Sequence, residues 1–363
     1  DCTSQDRPPP TRGWHAQKQG AQKLGSGCYA PEFPPKTEYN SRMKPIRLEL
    51  PTEFDVGPVN CYLFTAPEPI LVDCGVELPQ SWDALLAGLA QHNLTPADIR
   101  RIVITHPHVD HSGQAAKIAA LSGCPVWIAD LGYEWLVNPR KMFGLRADYY
   151  RDHFLVEAGI PEEMAQVIQA YFAQVGTDTT PVPAAAVQTF RVGDWLEMGG
   201  ASWQVLHMPG HASHQTCFYQ PDSRQFLSAD MLLPKTPTPI VERPLPNHPR
   251  QPSLPIFMDS LDRCEALEMD WVYPGHGEPF QNHRQLIQKQ RNRIHKRKGE
   301  ALALIQQGHH TAYALMNEMY AHYPPQFRFA GLWMLIGYLD LLQAEGQVGV
   351  DVVDGVWQYY VNK

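Results

Sequence analysis

From Ile46 onward the chain alternates two hydrophobic periods. Short apolar runs at Leu71-Val72, Ile102-Val103-Ile104, Val205-Leu206, Gln225 to Ala229 and Trp271-Val272-Tyr273 each stop at a turn, as buried strands do. Between them lie stretches with helical spacing, such as Trp82 to His92 and Gln114 to Ser122. Strands alternating with helices predict an α/β fold in which helices cover sheet layers. Residues 1–42 show no periodic apolar pattern, only Pro8-Pro9-Pro10, scattered glycine and polar residues. They read as a loose or unstructured leader of cloning origin, without function, ahead of a natural start at Met43-Lys44-Pro45-Ile46.

Two segments depart from this alternation. Residues 131–183 are an insertion in which Pro161-Glu162-Glu163 opens a helix, with proline at its first position and acids facing the dipole. Ahead of it, Trp135, Met142, Phe143, Leu145, Tyr149, Tyr150 and Phe154 make an apolar stripe. The stripe is either ordinary packing or a lid over an apolar substrate pocket. After Asp230, prolines at 234, 237, 239, 244, 246, 249, 252 and 255 stiffen a long loop expected to wall the site. Beyond His276 a charged helix runs from His283 to Ile305, carrying Arg284, Lys289, Arg291, Arg293, Lys296, Arg297 and Lys298. A second helix starts at Thr311, and a third spans about Phe329 to Glu345 with Trp333, Tyr338 and Leu342 as core. Gly346-Gln347-Val348 and Val356 to Val361 then make two strands turning at Asp354-Gly355. Three helices and a hairpin predict a small winged-helix domain over residues 284–363.

Composition narrows the class. At 363 residues, 44% hydrophobic and 19% charged, the chain can bury one large core plus a small appendage. No apolar run reaches the ~18 residues of a membrane span, and no apolar segment marks a secretory signal. The seven cysteines are odd in number, scattered and without a C-x-x-C pair. That argues for core thiols, such as Cys217 before Phe218 and Tyr219, and for the reducing cytoplasm. A net charge of −8 weighs against a polyanionic substrate, although a local patch can override the sum.

The candidate chemistry lies where strands end. His106, His108, Asp110 and His111 put three imidazoles and a carboxylate directly after Ile102-Val103-Ile104. His106 and His108 alternate along an extended chain and can face one side, while Asp110 and His111 turn to a second position nearby. Imidazole nitrogen and carboxylate oxygen suit a borderline divalent cation such as zinc. His211 after Pro209-Gly210, Asp230 after the run ending at Ala229, and His276 after Pro274-Gly275 repeat the arrangement: strand, turn, one ligand. Taken singly, His211 or Asp230 reads equally well as a turn residue or a helix cap.

Together with Leu71-Val72-Asp73-Cys74-Gly75, these segments resemble the metallo-β-lactamase superfamily over residues 43–283. The resemblance implies an αββα sandwich, with His106, His108 and His211 holding one metal and Asp110, His111 and His276 a second. Asp230 would bridge the two, and Asp73 would brace ligand imidazoles by hydrogen bonds; its plain alternative is a turn aspartate. Lactamases proper usually lack the Asp230 carboxylate, which hydroxyacylglutathione hydrolases, acyl-homoserine lactonases and several phosphodiesterases carry. The C-terminal end, with Tyr273-Pro274-Gly275-His276-Gly277 and His283-Arg284, is similar to that of the lactamase-β-like protein 2 group.

A paired-metal site of this kind makes a bridging hydroxide at neutral pH. Asp110 accepts its hydrogen bond and passes the proton to the leaving group. The expected cofactors are two divalent ions, zinc by default, with manganese or iron also accepted. The expected reaction is hydrolysis of ester-type bonds in a small, partly apolar substrate: carboxylic ester, thioester or lactone, with phosphodiesters or phosphotriesters by promiscuity. The alternatives are an endoribonuclease of the lactamase-β-like protein 2 type, with the basic helix on phosphates, and an iron-dependent persulfide dioxygenase. Tyr149, Tyr150, His207 and His214 are general-acid candidates by proximity only. No membrane partner is expected, and the oligomeric state is left open between monomer and the homodimer that relatives of this kind often form.

Overall fold

The computed structural model describes residues 44–236, 250–323, 328 and 331–363; the leader and the prolines from 237 to 249 lie outside them. Strands β1 (Ile46–Leu50), β2 (Val59–Phe64) and β3 (Ile70–Val72) form an antiparallel meander. Strands β4 (Arg101–Ile104), β5 (Val126–Ala129) and β6 (Val187–Phe190) extend that sheet in parallel. Parallel neighbours need crossovers, and helices supply them. α1 (Pro79–Ala90) joins β3 to β4, while α2 (Val109–Ser112) and α3 (Ala115–Ser122) join β4 to β5. Between β5 and β6 lie α4 (Tyr133–Val137), α5 (Pro139–Tyr149), α6 (Leu155–Glu157) and α7 (Glu162–Asp178).

The second sheet holds β7 (Trp195–Met198), β8 (Ala201–His207), β9 (Thr216–Gln220), β10 (Gln225–Ala229) and β11 (Trp271–Pro274) in the order β11-β10-β9-β8-β7. Its one parallel pair, β10 with β11, is joined across α8 (Ser253–Ala266). Alternate residues of each strand point to opposite faces. Tyr62, Phe64, Val72 and Val103 of the first sheet therefore meet Trp203, Phe218, Leu227 and Tyr273 of the second in one inter-sheet core. Their neighbours Leu63, Leu71 and Ile104 pack outward on Leu85, Leu89 and Ile118. On the far side, Cys217, Phe226 and Val272 pack outward on Leu254, Phe257 and Leu261 of α8. The result is the expected α/β sandwich of helix, sheet, sheet and helix. Full burial of each such side chain contributes about 1.5–3 kcal/mol, so the sandwich fixes where the strand ends stand.

The C-terminal segment continues the outer layer with α9 (His283–Gln306), α10 (Ala312–Met319) and α11 (Leu332–Ala344), followed by the hairpin β12 (Val348–Val353) and β13 (Val356–Val361). The Thr311 side chain caps α10 by accepting from Ala314 N at 3.1 Å. Asp354 and Gly355 have φ of 51° and 80°, the two positive values a type I′ turn requires. Trp333, Tyr338 and Leu342 are buried, as their spacing predicts.

One open choice is decided and two expectations need adjustment. Tyr150 and Phe154 are fully buried, with ring centroids 5.0 and 4.7 Å from Trp333, so this part of the apolar stripe is core against α11. Pro161 is the residue capping α7 rather than its first helical residue. Pro252 caps α8 and Pro255 lies inside it, so the segment after Asp230 is helical again from Ser253. Cys61, Cys74, Cys124, Cys217 and Cys264 are free and buried. Among the described residues no helix is long and apolar enough to cross a membrane.

Candidate metal centre

Each predicted site residue follows the C-terminal end of a strand: the bracing Asp73 after β3, and the ligands His106 to His111 after β4, His211 after β8, Asp230 after β10 and His276 after β11. Two of these turns leave the strand through strained backbone. Asp73 has φ of 58°, and Ala229, immediately before Asp230, has φ of 42°. At Ala229 the β10–β11 register also shifts, a bulge that turns the following side chain away from the ladder. Gly275 N donates to Ala229 O at 2.8 Å, tying the two ligand turns together. A Cβ on Gly275 would collide with Asp230 Oδ1 and stand 2.9 Å from His111 Cε1. Only glycine lets this turn pass beside the carboxylate.

The ring nitrogens converge in a first group. His106 Nε2 lies 3.0 Å from His108 Nδ1, which lies 2.9 Å from His211 Nε2. Zinc–nitrogen bonds of about 2.0–2.1 Å at tetrahedral angles would set such atoms about 3.3 Å apart, close to this spacing. A second group collects His111, His276 and Asp110: Asp110 Oδ2 is 3.3 Å from His276 Nε2 and 3.8 Å from His111 Nε2. Asp230 stands between the groups. Its Oδ1 is 3.4 Å from His111 Nε2, and its Oδ2 is 3.4 Å from His211 Nε2 and 3.6 Å from His276 Nε2. The Nε2 atoms of His111 and His276 and Asp230 Oδ1 are buried without a hydrogen bond of ordinary geometry. Polar atoms buried in this way need a partner. Nitrogen and oxygen donors within 4.8 Å of one another fit divalent cations with His and carboxylate ligands.

The outward-facing nitrogens are committed. Asp73 Oδ2 accepts from His111 Nδ1 at 2.8 Å, and the same carboxylate accepts from Thr105 N and Thr105 Oγ1, each at 2.8 Å. Since Thr105 Oγ1 donates to Asp73, it accepts from His106 Nδ1 at 3.0 Å. His276 Nδ1 donates to Pro58 O at 2.8 Å. Asp73 thus sets the tautomer of His111 directly and that of His106 through Thr105, leaving both Nε2 atoms facing inward. The β11 turn is clamped from the first sheet: Asn60 N donates to Gly275 O at 2.7 Å, Asn60 Nδ2 to Gly277 O at 2.6 Å, and Tyr62 Oη to Pro274 O at 2.7 Å. Thr105, Asn60 and Tyr62 are positioning residues that sequence reasoning passed over. Only Thr105 had a signal, its place directly before the His-x-His pair.

Burial and charge compete at every titratable group here. Burial alone would raise the Asp230 carboxyl, but His276, His111 and His211 outweigh it and hold it well below the ordinary range. Asp110 is likewise lowered, because His111 and His276 overcome its burial. Burial opposes a charged His111, yet Asp230, Asp110 and Asp73 lift it well above its usual value. Three buried carboxylates among these imidazoles are an anionic pocket that calls for cationic charge. Of the general-acid candidates, Tyr150 is core, and His207 Nε2 donates to Ser213 O at 2.8 Å. Tyr149 packs on the His153 ring and His214 on Trp135, each with centroids 5.5 Å apart.

Comparison with known proteins agrees with this geometry. Residues 54–276 match the family model described as the metallo-beta-lactamase superfamily. A probable metallo-hydrolase of Bacillus subtilis, YqjP, is 27% identical over 301 residues, covering 83% of this chain and 92% of that one. An atrochrysone carboxyl ACP thioesterase of Aspergillus fumigatus is 22% identical over 258 residues, covering 70% of this chain and 62% of that one. The crystal structure of a metallo-beta-lactamase family protein from Thermus thermophilus superposes with a TM-score of 0.71 at 26% identity, covering 88% of this chain and 98% of that one. Sandwich, donor set and matched span coincide, and the chain belongs to the metallo-beta-lactamase superfamily of metal-dependent hydrolases.

Proposed function

We propose that this protein hydrolyses carboxylic ester or thioester bonds in small, partly apolar substrates, using two divalent cations, zinc by default. The observation that carries this reading is Asp230, whose two oxygens face His111 on one side and His211 and His276 on the other. A carboxylate shared in this way lets two ligand groups act as one centre. His106, His108 and His211 would hold one cation, Asp110, His111 and His276 the other, with Asp230 common to both. When bound, the cations supply a nucleophilic hydroxide at neutral pH and polarise the oxygen that gathers charge.

The chain's own contribution is proton handling and exclusion of water. The Asp110 side chain is 10% exposed against 4% for Asp73 and Asp230, which makes it the carboxylate nearest solvent. Held ionised by His111 and His276 against its burial, Asp110 takes the proton of the attacking water and returns it to the departing alcohol or thiol. Asp73 keeps its oxygens on Thr105 and His111 and so stays out of the proton transfer. The thioester arm is favoured by the resemblance to a thioesterase, and hydrolysis in general by the probable metallo-hydrolase.

The test is a panel of aryl esters, acyl thioesters, lactones and phosphate esters, run on protein of measured metal content. Turnover of esters or thioesters that a chelator stops and added zinc restores is the expected result. Uniform inactivity of fully loaded protein overturns the reading, and iron with oxygen uptake replaces it by a dioxygenase.

A further inference from the structure

α9 carries seven Lys or Arg side chains between Arg284 and Lys298. Five of them meet acids. Arg284 is 2.8 Å from Glu268, and Arg291 is 2.5 Å from Asp262 and 2.6 Å from Glu265. Lys296 and Arg297 reach Glu300 at 4.0 and 2.5 Å, and Lys298 reaches Glu345 at 2.5 Å. Lys289 and Arg293 form no ion pair with any described residue, and both are exposed. With Leu286 they fall on one face of the helix, at the spacing of successive turns. That face walls a cavity of about 160 Å³. A third exposed cation, Lys235, lines the cavity, and no acid does. Its walls are mostly apolar, with Phe257, Ile294 and Met334 beside the polar Gln290 and Tyr338.

One wall of the cavity, Leu233 to Thr236, follows the ligand turn at Asp230, and two wall residues pack on the other distal turns. Lys235 follows Asp230 by five residues. Pro234, another wall residue, has Cγ 3.1 Å from where a Cβ on Gly277 would stand, and Gly277 follows His276. The Phe257 Cβ lies 2.5 Å from the corresponding point on Gly210, which precedes His211. A molecule seated here therefore rests against the segment that follows Asp230, while Pro234 and Phe257 separate it from the turns that carry His276 and His211. A cavity of about 150 Å³ takes a six-membered carbon ring, and three cations without an ion pair among the described residues, beside an apolar hole, select an anion.

We infer that this cavity binds the amphipathic, anionic end of the substrate, with an apolar group of about six carbons among Phe257, Ile294 and Met334 and a phosphate or carboxylate at Lys235, Lys289 and Arg293. This deepens the hydrolase reading and rests on it for the cavity's part in turnover; binding itself does not depend on it. The substrate class becomes esters or thioesters that carry an anionic group beside a short apolar one, and neutral esters of the same size are poorer substrates.

Titration calorimetry on the metal-loaded protein tests it with hexyl phosphate and hexanoate as probes, and hexanol and inorganic phosphate as controls. One of the two amphiphiles binds once per chain, and which one does so identifies the head group. It binds at least about tenfold tighter than either control, because each control lacks half of the contacts. The double variant Lys289→Gln/Arg293→Gln, altered only at exposed positions, loses about tenfold in affinity at unchanged metal content. Leu286→Trp, which fills the cavity, abolishes binding. Hexyl phosphate binding no tighter than inorganic phosphate, binding left intact by the double variant, or no binding of either amphiphile each overturns the inference. Binding that obeys these rules in protein inactive on every ester sinks the hydrolase reading instead and leaves the cavity's ligand class standing.

Discussion

Gly275→Ala adds one methyl group at the point where the two halves of the centre meet. The added Cβ would overlap Asp230 Oδ1, stand 2.9 Å from His111 Cε1 and 3.1 Å from the carbonyl carbon of Ala229. Non-bonded carbon atoms settle at about 3.5–4.0 Å, so the carboxylate, being the nearest and most movable neighbour, must retreat by about 1 Å. A displacement of that size costs on the order of 100-fold in turnover, equivalent to about 2.7 kcal/mol of activation free energy. Overpacking destabilises by about 1–3 kcal/mol, less than the roughly 5–15 kcal/mol of a typical fold, so the variant folds. The assay is bound metal per chain by elemental analysis, turnover on the best ester of the panel, and a thermal melt. Gly144→Ala is the control: it lies in α5 with nothing within 4 Å of the new methyl, and it gains about 0.5–1 kcal/mol of helix stability. Expected are a folded Gly275→Ala protein with reduced metal content and turnover down about 100-fold, beside an unaffected Gly144→Ala. Wild-type metal content and turnover in Gly275→Ala would refute the placement of Asp230 between the two groups.

Four further perturbations separate support from ligation. Asp73→Asn keeps the side chain's shape but cannot accept from Thr105 N, Thr105 Oγ1 and His111 together; metal affinity falls by about 10- to 100-fold. Thr105→Val, which frees His106 but leaves His111 and Thr105 N on Asp73, costs less, and a metal titration in which the order is reversed would break the relay argument. In the metal-free protein His111 is lifted by Asp230, Asp110 and Asp73 against its burial, so a proton must leave before metal binds; apparent affinity rises about tenfold per pH unit for each proton displaced. The sign for stability is opposite. A raised folded pKa gives the chelated protein stabilisation that is complete below the unfolded histidine value of about 6.5 and lost as pH rises through the folded value. Melting points of chelated protein that climb with pH from neutral upward would contradict it. Trp333→Ala, which removes the ring packed on Tyr150 and Phe154, costs about 3–5 kcal/mol of stability with metal content unchanged. Lost metal at an unaltered melting point would place that ring at the site instead of in the core.

What was legible in the chain was whatever is local to a strand end. His106, His108, Asp110 and His111 lie within one turn after β4, and His211, Asp230 and His276 each follow an apolar run at the first break, so strand, turn and donor were read in one window. What was not legible crosses between sheets. The clamp of Asn60 and Tyr62 on the β11 turn joins residues 212 to 217 positions apart, and nothing near Asn60 announces it. Gly275 reads as half of a Pro-Gly turn, and its second role, leaving room for Asp230, exists only once β10 and β11 are neighbours. The apolar stripe before α7 stayed open between packing and lid for a related reason. Helical spacing is the same whether an aromatic face meets a substrate or another helix, and Tyr150 and Phe154 meet Trp333 from almost two hundred residues further on. The basic helix makes the point most sharply. Its sequence shows seven cations of equal standing, while the fold sets Asp262 and Glu265 of α8 against Arg291 and leaves Lys289 and Arg293 without an ion pair among the described residues, beside a mostly apolar cavity. Which charges remain unpaired among the described residues is set by packing between α8 and α9, and no single window of sequence contains that.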